Sequence, residues 1–128
     1  MTWYEKIIAA HTAVTNDVSH YERMKSDRYF VWQEENSSDL IAEGVHAERA
    51  VRGTTDLFTK QEFDPWAAAL EASFDASRIA WSLNSVQHEE QTGFIHHEWL
   101  WEVINVAPEA EPEPDPEPDP EPDQEMEG

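Results

Sequence analysis

From Pro108 onward the chain reads Pro-Glu-Ala-Glu-Pro-Glu-Pro-Asp-Pro-Glu-Pro-Asp-Pro-Glu-Pro-Asp. A proline at every second residue removes a backbone N–H and fixes φ, so neither a helix nor a strand ladder can pass through, and the alternating acids repel one another. The run predicts an extended, polyproline-like, disordered tail over residues 107–128 that adds nothing to a core. Seven of the eight prolines lie in it, which leaves residues 1–106 as the folding unit. With six Trp, five Phe and three Tyr in the chain, that unit has enough large side chains to bury a core as a single domain.

The same tail divides the charge. Of 28 acidic residues, ten fall in Glu109–Glu127, which holds none of the eight bases, so the domain keeps 18 − 8 = 10 excess negative charges out of a total of −20. Such a surface repels phosphate backbones and anionic membranes, which argues against nucleic-acid recognition and membrane binding and favours a basic partner surface. No apolar run approaches the ~20 residues that span a bilayer, and the start Met1-Thr2-Trp3-Tyr4-Glu5 lacks a basic region followed by an apolar stretch, so a soluble, unexported protein is expected. The absence of Cys removes disulfides, thiolate nucleophiles and Cys-based zinc sites together.

Within the folding unit, Trp3, Ile7, Ile8, Ala10/His11 and Val14 follow one helical face, predicting a helix over Thr2–Thr15. Asn16–Arg28 is polar and rich in turn formers and reads as a connector. Tyr29–Glu34 is a β-branched and aromatic strand that the cluster Glu35-Asn36-Ser37-Ser38-Asp39 is expected to end in a turn. After a loop through Gly44, Ala47–Thr59 suits a second strand, bent or bulged at Gly53. Asp64-Pro65 opens a helix over Pro65–Ala76 with the stripe Trp66, Leu70 and Phe74. Ile79–His88 and Phe94–Val103 alternate, and the loop Glu89–Gly93 between them closes a hairpin with Gly93 where a positive φ is often needed. The order α-β-β-α-β-β predicts an α+β fold: a four-stranded antiparallel sheet from two hairpins, with both helices on one face. The Trp stripe of the last strand is expected to face the second helix, and the opposite sheet face, with Phe94 and Leu100, to offer a surface to another subunit.

No constellation carries catalysis. His88-Glu89-Glu90 and His96-His97-Glu98 suggest a two-His, one-carboxylate metal site, but adjacent strand residues point to opposite faces, so exposed histidines beside acids are the expectation and no metal or cofactor is assigned. Asp56, Glu62, Asp64 and Glu71 could pair as carboxylates, yet their spacing matches no reaction template. There is no phosphate loop, nucleophile elbow or H-E-x-x-H. Trp66, Trp81, Trp99 and Trp101 are expected in the core, and Trp3 and Trp32 at the surface.

Taken in order, the strand Tyr29–Glu34, the run Gly53-Thr54-Thr55-Asp56-Leu57-Phe58-Thr59-Lys60, the helix Asp64–Ala76 and the hairpin Trp81–Val86…Glu90-Gln91-Thr92-Gly93-Phe94-Ile95-His96-His97-Glu98-Trp99 are similar to a known family. Over about residues 1–104 the chain resembles the tail-completion, or tail-terminator, proteins of long-tailed phages and prophages of Gram-positive bacteria. The resemblance implies a non-enzymatic homo-oligomer, commonly a hexameric ring, that caps the tail tube protein and docks the tail to the head–tail connector. Its place would be the virion tail, after assembly in the host cytoplasm. The acidic tail departs from that compact pattern. Residues expected to contact neighbours are Glu34, Glu35 and Asp39 in the loop Glu34–His46, and Glu89, Glu90 and Gly93 at the hairpin tip. An acidic DNA-mimicking inhibitor or other accessory protein that binds a basic partner, and a metal hydrolase, are the readings from other classes.

A tail that buries nothing contributes little packing energy. Deleting Pro108–Gly128 is expected to leave the melting temperature almost unchanged in a calorimetric scan; a large drop would show that the tail packs on the domain.

Overall fold

The computed structural model describes residues 1–42 and 45–104. Thr2 starts α1 (Trp3–Thr12) with a reciprocal cap: the Glu5 amide donates to Thr2 Oγ1 (3.1 Å) and the Thr2 amide donates to Glu5 Oε1 (2.8 Å), satisfying two N–H groups the helix cannot. Asp64 does the same for α2 (Pro65–Ala76), accepting from the Trp66 amide at 2.9 Å with Pro65 at the first helical position. Asp64 is also buried against the sheet, where Arg28 donates through both Nε and Nη2 and Thr59 Oγ1 donates at 2.7 Å. Burial alone would raise its carboxyl, but the hydrogen bonds from Arg28, Thr59 and the Trp66 amide outweigh that and hold it below its usual value. One carboxylate therefore fixes the start of α2 to two strands.

The strands are β1 (Val18–His20), β2 (Arg28–Ala42), β3 (Val45–Thr59), β4 (Ala80–His88) and β5 (Ile95–Ile104), in the spatial order β1-β2-β3-β5-β4. The sheet is thus five-stranded and mixed, because β1 pairs parallel to β2 while the other pairs are antiparallel; the expected four-stranded antiparallel sheet lacked β1. β1 is three residues inside the polar connector, too short to alternate visibly, and it is pinned from outside its own sequence. The Phe30 amide donates to the Asp17 carbonyl below it and the Tyr21 amide to the Trp32 carbonyl above it, each at 3.0 Å.

The expected turn at Glu35–Asp39 is a second correction: β2 continues through it to Ala42, paired with β3 as far as Ala42↔Val45. Turn-forming residues yield here to a long partner strand that satisfies their backbone groups. Their preference survives as a register shift between Glu34 and Asn36, which leaves Glu35 as a bulge. The expected loop through Gly44 lies at residues 43–44, outside the described residues, as does the expected tail. Gly53 is not itself bulged; it pairs with Glu34 and Trp101, and a Cβ there would collide with the Trp101 ring and the Gln33 carbonyl.

Both helices cover one sheet face. Ile7 and Ala10 of α1 and Leu70 and Phe74 of α2 pack on Phe30, Trp32, Val51, Leu57, Trp99, Trp101 and Val103. The Trp stripe of β5 faces α2 as expected, with Trp99 Nε1 donating to Glu71 at 2.9 Å. Trp32, expected at the surface, is buried in this core because α1 and β1 close over it; Trp3 is half-buried against the same cluster. The opposite face carries a smaller cluster, Tyr29, Val31 and Phe58, covered by Met24 and Phe94, with Arg23 stacked 4.1 Å over Phe58. The connector therefore crosses the face expected to be open, and Leu100 and Ile104 are the large apolar side chains left exposed there among the described residues.

At the centre of the core lies a polar chain. His11 is fully buried; its Nδ1–H donates to the Ile7 carbonyl at 2.7 Å, which leaves Nε2 to accept from Thr55 Oγ1 at 2.8 Å. Thr55 Oγ1 in turn accepts from Trp101 Nε1 at 3.0 Å. One proton arrangement satisfies every group, and it requires neutral imidazole; burial pushes the His11 pKa down to about 4. Replacing Thr55 by Val keeps the shape and orphans both His11 Nε2 and Trp101 Nε1. At about 1–3 kcal/mol for each buried unsatisfied group, the expected loss is roughly 2–5 kcal/mol, read from the urea midpoint.

Candidate interaction surfaces

Of the residues expected to meet neighbours, Glu34 and Glu35 lie near the middle of β2 and Asp39 farther toward its C-terminal end, whereas Glu89, Glu90 and Gly93 lie at the β4–β5 turn beyond the other end of the sheet. Glu34 lies level with Gly53 and Trp101, whereas the β4–β5 turn lies beyond the level of Thr59 and Ile95. Glu35 is exposed at the bulge, and Asp39 is opposite Arg49 on the backbone ladder. At the other end Gly93 takes φ +79°, as its place in the turn required, and its amide donates to the Glu89 carbonyl at 2.8 Å. Glu90 is exposed, while the Glu89 side chain turns inward to accept from Thr92 Oγ1 at 3.0 Å and to approach His96 Nδ1 at 3.5 Å.

Glu34 belongs to a compact aromatic and polar cluster at the β1 edge. The His20 ring is stacked between Tyr21 and Trp32, with centroids 3.8 and 3.9 Å away. His20 Nε2 and Tyr21 Oη bond Glu34 at 2.8 and 2.6 Å. Burial works to raise the Glu34 carboxyl, but these bonds overcome it and leave it below its usual value. Tyr21 sits at φ +75°, a left-handed conformation that costs an aromatic residue energy and is held by this cluster. Beside it a groove of about 450 Å³ opens between α1 and β1, with Trp3, Tyr4, Ile8 and Val18 on its walls.

A second apolar area occupies the opposite edge, on the same side of the sheet as the helices. Leu83 and Val86 of β4 are half-exposed there, and Phe63, at φ +53° and 92% exposed, stands at the rim of a groove of about 780 Å³ that also includes Lys60, His88, Ile95 and His97. His97 is nine-tenths buried, and its Nε2 has no hydrogen-bond partner among the described residues. Burial pushes its imidazole below the usual value, which favours the neutral form. A register shift between Leu83 and Ser85 gives β4 this character: Trp81 and Leu83 face the helix side, and after the shift Val86 and His88 do so instead. Neither edge was anticipated from the sequence. The available signal was the run Ala80–His88, which holds no Asp, Glu, Lys or Arg in a chain 28% charged.

The expected metal and carboxylate groupings are not assembled. His96 and His97 do point to opposite faces, and among the described residues no group of three or more His, Asp or Glu side chains is arranged so that it could hold a metal ion. Asp56 pairs with His96, Asp64 with Arg28, and Glu71 with Trp99, each tied to a structural partner.

No protein-family model matches the sequence, and no curated protein matches it. Among solved structures, a chain from the virion of a native gene transfer agent particle superimposes with a TM-score of 0.54. At 10% identity the match covers 83% of this chain and 92% of that one. The two chains share an α+β fold.

His96 offers a direct probe of the hairpin end. Its hydrogen bond to Asp56 Oδ1 (2.8 Å), more than its partial burial, sets its pKa above the usual histidine value, with Glu89 adding to the effect. A raised folded pKa means stabilisation that is complete below the unfolded pKa and is lost as pH rises through the folded one. In an NMR titration His96 is expected to hold its proton to higher pH than a free imidazole, and Asp56→Asn is expected to lower its midpoint.

Proposed function

We propose that this chain is a non-catalytic structural subunit of a phage-like virion, a ring component that completes the tail and joins it to the head in the manner of tail-completion and tail-terminator proteins. The observation that carries the reading is the shared fold with a virion chain, a likeness that runs over 92% of that chain. The surface supports it. Two different apolar edges lie at the two sides of one sheet, and an interface between unlike patches repeats head to tail, which gives a ring where the rotation between copies closes. In the related phage proteins such rings are commonly hexameric.

The two groups of acidic residues then fall to the neighbours along the tail axis. Glu34, Glu35 and Asp39 would meet one of them and Glu89, Glu90 and Gly93 the other, with the tail tube protein and the head–tail connector as the partners. The ten excess acids of the domain suit basic surfaces on those partners. Residues 107–128 would remain a solvated acidic extension, and the protein would be found in the virion tail after assembly in the host cytoplasm.

The test is loss of the gene in the host that makes the particle. Electron microscopy is expected to show filled heads and separate tails, and the purified protein is expected to give ring-sized mass in light scattering as concentration rises. Normally joined particles without this protein would refute the reading.

A further inference from the structure

We propose that the β4 edge and the groove above it are completed by the α1–β1 edge of a second copy of this chain, so that the sheet runs on between subunits as an antiparallel β4–β1 pair. The inference rests on the ring reading and names the surfaces that make the contact.

The first support is what the edges lack. Exposed strand edges are normally guarded by charge or proline, because an open ladder pairs with any strand it meets. β4 spans Ala80–His88 with no charged residue and no proline, and β1 is Val18-Ser19-His20; among the described residues β4 pairs only with β5 and β1 only with β2. The register shift at Asn84 divides β4 without charging it, and each half is long enough to hold a three-residue partner.

The second support is direction. β1 runs parallel to β2, β2 antiparallel to β3, β3 to β5 and β5 to β4, so β1 and β4 point in opposite senses within one subunit. Copies placed side by side in the same orientation bring β4 against β1 antiparallel, with helix-covered faces on the same side. Two rows of side chains on that face already cross all five strands: Val18, Phe30, Leu57, His97, Val86, and His20, Trp32, Thr55, Trp99, Leu83. Each row ends on a half-exposed apolar residue of β4 and would continue into β1 of the neighbour.

The third support is the groove. α2 reaches β4 at its start, where Trp81 Nε1 donates to Asp75 at 2.8 Å, and farther along Val86, Ile95 and His97 line a groove with no helix residue on its walls. A continued sheet carries the neighbour's α1 to this gap, with Tyr4 and Ile8 on the outer face of that helix. Phe63 then gains an apolar cover. An exposed aromatic in a costly backbone conformation and a buried imidazole nitrogen without a partner both make sense at a surface that is covered on assembly.

Because the chain has no Cys, oxidative cross-linking reads the contact cleanly. Ser19 of β1 and Ser82, Ser85 and Gln87 of β4 share the face away from the helices. Ser19→Cys combined in turn with Ser82→Cys, Ser85→Cys or Gln87→Cys scans the register. At least one double variant is expected to give a ladder of linked chains on non-reducing gels at the highest soluble concentration, while the single variants give none. Val86→Asp, at an exposed position that leaves circular dichroism unchanged, is expected to abolish the ladder. Dimers from a single β4 variant alone would show a two-fold β4–β4 pair and overturn the proposal. Rings that form without any β1–β4 link would also overturn it, while leaving the ring reading intact. A protein that neither links nor gains mass at any concentration would sink both.

Discussion

The hydroxyl of Thr55 stands where the helix layer, the sheet and the widest side chain of the core meet. It donates to His11 of α1 and accepts from Trp101 of β5 while sitting on β3, so three elements far apart in sequence share one atom. Buried polar groups tolerate few arrangements, and this one fixes the rotation of α1 about its axis as well as its height on the sheet. Trp101 can reach that oxygen because Gly53 leaves its ring a place to lie against β3. The glycine serves close approach, and the one-residue bulge at Glu35 of the partner strand lies directly beside it.

From that centre the fold is extended by local anchors of the same kind. Asp64 joins the start of α2 to β2 and β3, Ser73 Oγ donates to the Ala10 carbonyl to join α2 to α1, and Trp81 joins β4 to the end of α2. These bonds hold the helices toward the middle of the sheet. The edges are left outside this network, which is why β1 on one side and the far half of β4 on the other retain apolar groups that nothing in the described chain covers.

The parts of this arrangement that were legible in the sequence are those set by neighbours along the chain. Asp64-Pro65 specifies a helix start by its own chemistry, the β5 alternation sorts His97, Trp99 and Trp101 to one face, and Gly93 marks a turn that needs a positive φ. What escaped depends on distant partners. β1 exists because Asp17 and Trp32 carbonyls take amides from across the gap, Trp32 is buried by that strand, and the Glu35–Asp39 cluster stays extended because β3 runs alongside it. Of the candidate surface, the acidic ends were visible as polar stretches. The edges were not, since the shift at Leu83/Ser85 breaks the parity a reader would count along β4, and neither the missing partner of His97 nor the left-handed Phe63 leaves a mark in composition.

The uncharged edges sit in a strongly anionic molecule, and the two properties act over different ranges. Two copies approaching through water first feel like charge, which is screened beyond about 8 Å at physiological ionic strength and reaches farther in dilute buffer. Apolar contact and ladder hydrogen bonds act only once surfaces touch. Under the proposed edge-to-edge contact, random encounters would be turned away at a distance, and those that persist would be the ones that bring an uncharged edge against an uncharged edge. If copies join through these edges as proposed, the acidity of the chain would act as a kinetic filter on that assembly, one whose stringency is set by salt and not by any residue in the interface.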